Sequence, residues 1–400
     1  MSHVETLSIE RRRSIDPRIF LLTLGTFALG TDAFVVAGVL PAIAHDVGIT
    51  EGVAGQLVTA FSLTYGIAAP LTAALTSRWS RNYVLVGSLL LFCLANVLSA
   101  IAPSFVMLML SRILAGIFAC TYVPLAYATA GSLAPEGKRG QAIALVVIGI
   151  TIATALGSPF GTWIGEHFGW RQSFFLVVVL SGLASLGLIM GRLPKAAAAP
   201  SVSLRTRLEP MLKPRLVLAL VPMFFCNIGV YAVYTYIAPL LHLNLPGVDV
   251  SGLLVLFGLG AMFGTIAAGR LVDRFRVNRL LMLFLSVLIV VEVLLALATA
   301  GNLMVALLAL LIWGFLVSVV FVPQQERLLR LAPQHAQIML ALNNSMYYLG
   351  IATGSAVGGL SLRIVDVTQL VWIGGAGVLM ALLLLLLSIR IERKADVVEQ

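Results

Sequence analysis

The stretch Gly25–Val39, GTFALGTDAFVVAGV, holds one carboxylate, Asp32, inside an apolar run that extends from residue 18 to 39. About 20 mostly apolar residues are enough to cross the hydrocarbon core of a bilayer as a helix. An ionised Asp at the middle of such a helix costs roughly 2.5–3.5 kcal/mol on insertion scales. A chain that keeps the residue there has a partner for it or a use for its proton.

The rest of the chain has the same character. It is 60% hydrophobic and 11% charged, with a mean hydropathy of +1.02. Ordinary soluble domains carry about 45–50% apolar and about 25% charged residues, so the composition defines a polytopic membrane protein. The net charge of +9 does not mark a nucleic-acid face. The basic residues fall in short segments between apolar runs, and with the N-terminus inside, 23 of the 26 lie on the cytoplasmic side. The exceptions are Arg112, Arg171 and Arg363. Cys93, Cys120 and Cys226 lie in apolar runs without paired spacing, which predicts neither a disulfide framework nor a metal site. Arg11, Arg12 and Arg13 precede a first run of about 22 residues, longer than a signal-peptide core, so the run is expected to be retained.

Twelve apolar runs follow one another at 18–39, 53–75, 83–102, 105–133, 140–164, 172–191, 215–240, 250–272, 279–299, 302–325, 336–362 and 369–390. The expected fold is an all-α polytopic membrane protein with twelve transmembrane helices in two pseudo-symmetric six-helix bundles. The bundles are residues 1–191 and 215–400, joined by a cytoplasmic linker at 192–214 that carries Ala196–Ala199, Pro200, Arg205 and Arg207. An offset of 196 residues maps each of the first six runs onto the start of one of the last six to within about a residue. Parallel six-span repeats of this kind build the major facilitator fold.

Local motifs carry the same resemblance. Gly269-Arg270-Leu271-Val272-Asp273-Arg274, between runs 8 and 9, resembles the G-x-L-x-D-R segment of the major facilitator superfamily. Its first-half counterpart keeps Arg78 and Arg81 but has Ala73 for the Gly and Ser77 for the Asp. The resemblance implies a cytoplasmic gate at Arg78, Arg81, Gly269, Asp273 and Arg274, with Asp273 as the better latch. Arg112-Ile113-Leu114-Ala115-Gly116, the Gly157-Ser158-Pro159-Phe160-Gly161 segment and the Gly165-to-Arg171 turn resemble segments of its twelve-span drug:proton antiporter branch. The chain is similar to bacterial arabinose-efflux-permease-like proteins. In that resemblance Gly116, Gly157, Pro159 and Gly161 are helix-packing residues.

Three charged residues lie well inside the runs, away from their ends: Asp32, Arg112 and Glu292. At about 1.5 Å per residue, Asp32 and Arg112 both lie about 10 Å below the outer surface. Opposite charges at one depth predict a pair, and burial and Arg112 act on the proton affinity of Asp32 in opposite senses. Asp32 and Arg112 are therefore the expected proton-coupling residues. Neither has a counterpart 196 residues on, where Ile228 and Leu308 stand, so coupling belongs to the first half. Glu292 is expected to face a neighbouring helix as a structural carboxyl.

Polar and aromatic residues at helical spacing mark faces turned from lipid. Gln56, Thr59, Thr151, Thr154, Asn227, Tyr231, Tyr234, Asn343, Asn344 and Tyr347 are the expected substrate-cavity residues, with Tyr348 one turn beyond Asn344. No nucleotide-binding loop, zinc-protease motif or nucleophile elbow is present, and no enzyme, cofactor or metal is expected. The expected function is secondary active transport, as proton-coupled efflux of small organic solutes or drugs by alternating access. The alternative is a facilitator for a sugar or nucleobase. The expected partners are a small-molecule substrate, protons and the lipid bilayer. The expected setting is a monomer in a bacterial inner membrane with both termini cytoplasmic.

Overall fold

The structure, a computed structural model, describes residues 16–76, 79–135, 138–193 and 209–398. All regular structure among them is helical. The first six spans are α1 (Arg18–Val47), α2 (Glu51–Leu75), α3 (Arg81–Ala100), α4 (Phe105–Leu133), α5 (Arg139–Phe168) and α6 (Trp170–Met190). Next come α7 (Pro214–Tyr234, continued by Ile237–Asn244), α8 (Val250–Arg274), α9 (Val277–Thr299) and α10 (Leu303–Leu331). The last two are α11 (Ala336–Ser361) and α12 (Leu370–Val398). Each expected run is a helix, and the repeat is visible in the starts: Arg18 and Pro214, like Arg81 and Val277, are 196 residues apart. Of the expected linker, residues 194–208 lie outside the described residues, as do Arg11, Arg12, Arg13, Ser77 and Arg78.

Short signals set the helix boundaries. The side chains of Ser104 and Asn302 accept backbone N–H bonds as N-caps of α4 and α10, and Asp249 does the same for α8. Between α5 and α6 the backbone turns at Gly169 with φ 95°, which a side chain would strain. That turn is tied down from α1: Trp170 Nε1 and Arg171 Nη1 both donate to Asp46 Oδ2, at 3.1 and 2.5 Å. Arg171 is thus an anchor of the turn, which explains a cation on the side where the charge bias places few.

Successive spans run antiparallel, so Arg18, Arg81, Arg139, Arg274 and Arg330 gather at one end of the bundle, here called the basic end. Asp46, Glu51, Glu166 and His242 mark the far end. α1 packs on α5 and α6, and α2 on α4; α7 packs on α11 and α12, and α8 on α10. Contacts between the first six spans and the last six run along two seams, α2 with α11 and α5 with α8, and the second segment of α7 rests on α1.

The far half of these seams is closed at backbone distance. A Cβ on Gly359 would lie 2.5 Å from the Gly52 carbonyl oxygen, and one on Gly258 would lie 2.5 Å from the Thr154 carbonyl oxygen. Ser355 Oγ donates to the Gly55 carbonyl at 2.8 Å, and Tyr236 OH donates to the Ser355 carbonyl at 2.8 Å. Toward the basic end the seam between α2, α4 and α11 opens into a cavity of about 200 Å³.

Candidate functional site

Asp32 and Arg112 touch. Arg112 Nη1 donates to Asp32 Oδ1 at 2.6 Å, and Nη2 reaches the Asp32 carbonyl at 3.4 Å. The side chains are 0% and 1% exposed. The guanidinium also lies over the ring of Phe61 in α2, at 4.7 Å, and that of Phe174 in α6, at 5.7 Å. Arg112 is therefore held by a carbonyl and two ring faces as well as by its counter-ion. Asp32 Oδ2 and Arg112 Nε have no hydrogen-bond partner among the described residues. Such an arrangement can accept a proton on Asp32 without leaving the cation unsupported.

Small residues bring these helices together. A Cβ on Gly25 would meet Tyr122 OH of α4 at 2.1 Å, and that hydroxyl donates to the Leu22 carbonyl. Along α5, Gly157 faces Thr31, Gly161 faces Val35 and Gly165 faces Val39, each too close for a side chain. These contacts fix α1 immediately beside Asp32. Pro159 is buried just after a π-helical turn at Ala153–Gly157, where its missing N–H breaks the regular ladder. Gly116 is placed against α2, its Cβ position 2.6 Å from the Phe61 carbonyl, and so sets the distance of Phe61 from Arg112.

The cavity toward the basic end is lined by Tyr65, Cys120, Pro124, Asn344 and Ser345, with no charged side chain among the described residues. Of the ten expected cavity residues, only Asn344 lines it. Tyr231 and Tyr347 share a hydrogen bond between hydroxyls at 3.0 Å, and Tyr234 packs on Phe34, Phe257 and Trp313. These tyrosines form a buried aromatic layer. Gln56 donates to the Gly52 carbonyl at the closed far seam, where it has no cavity to line. Thr59 has a buried, unpartnered hydroxyl, and Thr151 is half-buried in α5. Thr154 bonds within its own helix, at the Ile150 carbonyl, and its backbone meets Gly258. Asn227 donates to the Met223 carbonyl and stands against Gly350, between α7 and α11. Asn343 is fully buried, with neither amide atom partnered among the described residues. Helical spacing identified inward faces, but several of those faces serve helix packing.

Phe61, Tyr65 and Phe34 were not among the expected cavity residues, although Phe61 and Tyr65 stand at i, i+4 on α2 and so carried the same spacing signal. Rings connect nevertheless. Tyr65 stacks on Tyr348 at 3.7 Å, Tyr348 meets Tyr347 at 5.4 Å, and Phe61 meets Tyr65 at 6.2 Å.

At the basic end, Asp273 and Arg274 are exposed, and among the described residues Asp273 forms no hydrogen bond or ion pair. A Cβ on Gly269 would meet nothing within 4 Å. Among the described residues the expected latch at Asp273 has no partner in this conformation, and Arg81, another of the expected gate residues, begins α3 at the same end. Glu292 is buried, and its Oε2 accepts the indole N–H of Trp313 in α10 at 2.6 Å. Arg327, counted from its position as a cytoplasmic cation, is instead 3% exposed and pairs with Glu392 of α12 while donating to Ser388. The apolar run ends just before Arg327, and sequence position alone does not reveal that α12 supplies a partner.

Two bundles of six spans, a buried ion pair in one of them and a cavity between them define a membrane transporter. A family model described as Major Facilitator Superfamily matches residues 22–355, and the chain belongs to that superfamily. It is 34% identical over 343 residues to "Inner membrane transport protein YdhP" of Escherichia coli (strain K12), covering 85% of this chain and 87% of the relative. It is 37% identical over 262 residues to "Chloramphenicol resistance protein" of Streptomyces lividans, covering 64% of this chain and 67% of that protein. The crystal structure of a D-xylose-proton symporter superposes with a TM-score of 0.72 at 20% identity, over 92% of this chain and 96% of that one.

Proposed function

We propose that this transporter is a proton-coupled exporter of small organic solutes, working by alternating access as a monomer in a bacterial inner membrane with both termini cytoplasmic. The basic end then faces the cytoplasm, in keeping with the positive-inside rule, and the structure corresponds to an inward-facing state. The halves, 1–191 and 215–400, rock about the two seams. One observation carries this reading: Asp32 and Arg112 form a fully buried pair with one carboxylate oxygen and one guanidinium nitrogen unpartnered. Buried polar atoms in native proteins are nearly all hydrogen-bonded; Glu292 Oε1 and Arg327 Nε are unmet as well, and what sets this pair apart is that both of its charges are at most 1% exposed. A pair whose carboxylate exchanges a proton during the cycle does need the spare oxygen. The resistance named for the Streptomyces relative supports export as the direction.

The drive available is about 1.36 kcal/mol per pH unit, with about 2.3 kcal/mol per charge per 100 mV added by the membrane potential. The test is accumulation of chloramphenicol in everted vesicles under an imposed pH gradient. Asp32→Asn is expected to abolish gradient-driven accumulation while the purified variant elutes from gel filtration as the parent does. Undiminished accumulation by that variant overturns the assignment. Solute exchange with no proton movement in the parent would favour a facilitator instead.

A further inference from the structure

We propose that the Tyr65–Tyr348 stack is a recognition slot for an uncharged, planar aromatic ring of the solute. The proposal rests on the transport reading above and names the substrate class of the same cavity. The two rings, one from α2 and one from α11, lie 3.7 Å apart between centroids and 19° from parallel. No other ring pair among the described residues approaches so closely. One side of the stack is the cavity toward the basic end, which Tyr65 lines. The other side is a small void of about 10 Å³ bounded by Tyr65, Tyr348, Phe61 and Phe34. The stack therefore stands as a partition between the open cavity and the space leading to Phe61, which carries the Arg112 guanidinium.

A ring entering from the cavity meets the Tyr65 face and exchanges for the Tyr348 ring. The exchange replaces one stacked pair by another, so the empty slot is filled by the protein's own side chain and opens when a ring arrives. Tyr348 also belongs to the second half and Tyr65 to the first, so the exchange breaks the aromatic contact between the halves on this side. Charge is selected against, because the lining among the described residues carries no ionised group to offset desolvation of a cation or anion. The Asn344 amide beside the Tyr65 hydroxyl supplies a polar contact at the ring's edge.

Equilibrium binding to the purified full-length protein tests this with chloramphenicol and 4-nitrobenzyl alcohol as uncharged ring probes, ethidium as a charged planar probe and D-xylose as a solute without an aromatic ring. The parent is expected to bind the uncharged ring probes in preference to the other two. Tyr65→Leu is expected to weaken ring-probe binding at least tenfold, while Tyr348→Leu, which removes the ring that the solute displaces, is expected to tighten it severalfold, and Tyr65→Phe and Tyr348→Phe stay within threefold of the parent. The phenylalanine variants guard against a folding defect, since they keep the stack and lose only hydroxyls. A Tyr65→Leu variant that binds as the parent does, a Tyr348→Leu variant that binds no tighter than the parent, or a parent that binds neither ring probe or prefers ethidium or D-xylose, overturns the slot. Proton coupling is scored separately: binding through the slot without gradient-driven accumulation keeps the slot and removes the exporter.

Discussion

Asp32, Arg112 and Glu292 were visible in the sequence because an ionisable group inside an apolar run is expensive enough to need a reason. Depth arithmetic placed Asp32 opposite Arg112, and the structure closes that distance to 2.6 Å. Nothing in the run before Glu292 signals Trp313, whose indole N–H is an ordinary donor until a carboxylate faces it. Their bond pins the ring that packs on Tyr234 and Phe257. Replacing Glu292 by Leu leaves that N–H buried without an acceptor, a loss of roughly 1–3 kcal/mol. Glu292→Gln keeps an amide oxygen for it and is expected to lose less. Thermal unfolding in detergent should rank the parent above the Gln variant and the Gln variant above the Leu variant. A Leu variant as stable as the parent would show that the bond contributes nothing net. Gly374→Ala belongs to the same test, because its Cβ would lie 2.8 Å from Glu292 Oε1.

At the scale of helices, the glycines of α5 were legible as a packing motif, and each has a partner on α1. The motif expected to latch the basic end was also legible, and Gly269, Asp273 and Arg274 of it are exposed. The closed seam is elsewhere, and it was unreadable because it pairs glycines 307 residues apart, Gly52 in α2 and Gly359 in α11. Gly359 has the Gly52 carbonyl oxygen at 2.5 Å and the Tyr236 hydroxyl at 2.4 Å from its Cβ position. Gly359→Ala cannot close the far end as seen here without displacing backbone, and packed interfaces do not deform continuously. The variant is expected to populate a far-end-open state. Labelling of a cysteine introduced at Ser355, which is 0% exposed in the closed seam, by an impermeant maleimide should then rise severalfold over the same cysteine in the parent background. Unchanged labelling would mean that this seam is not a gate.

For the molecule as a whole, twelve runs and a 196-residue offset were enough to give the fold, since hydropathy and repetition are properties of long segments. How the two halves meet was not, because it depends on pairs of residues on different bundles. One such pair is titratable. His242, at the end of α7, lies 3.9 Å from Glu166 of α5, with Glu51 of α2 adding negative charge. Asp249, the cap of α8, stands beside Glu166 on the same surface. The bond to Glu166 raises the His242 imidazole above its ordinary value of 6.5, against the opposing effect of partial burial. A raised histidine contributes fully below 6.5 and loses its contribution as pH rises through the raised value. The tie across the halves is thus strongest in acid, and the far end should open more readily as pH rises. His242 is half exposed, so the tie is worth under about 1 kcal/mol and the shift in population is at most about fivefold. Labelling of the Ser355→Cys reporter is expected to rise from about pH 5.5 to about pH 8.5 in the parent, beyond the reagent's own pH dependence measured on a free thiol. In His242→Gln the excess should vanish, with labelling held near the high-pH level throughout. An equal excess in both proteins would assign the pH dependence to another group and leave the His242–Glu166 contact without a gating role.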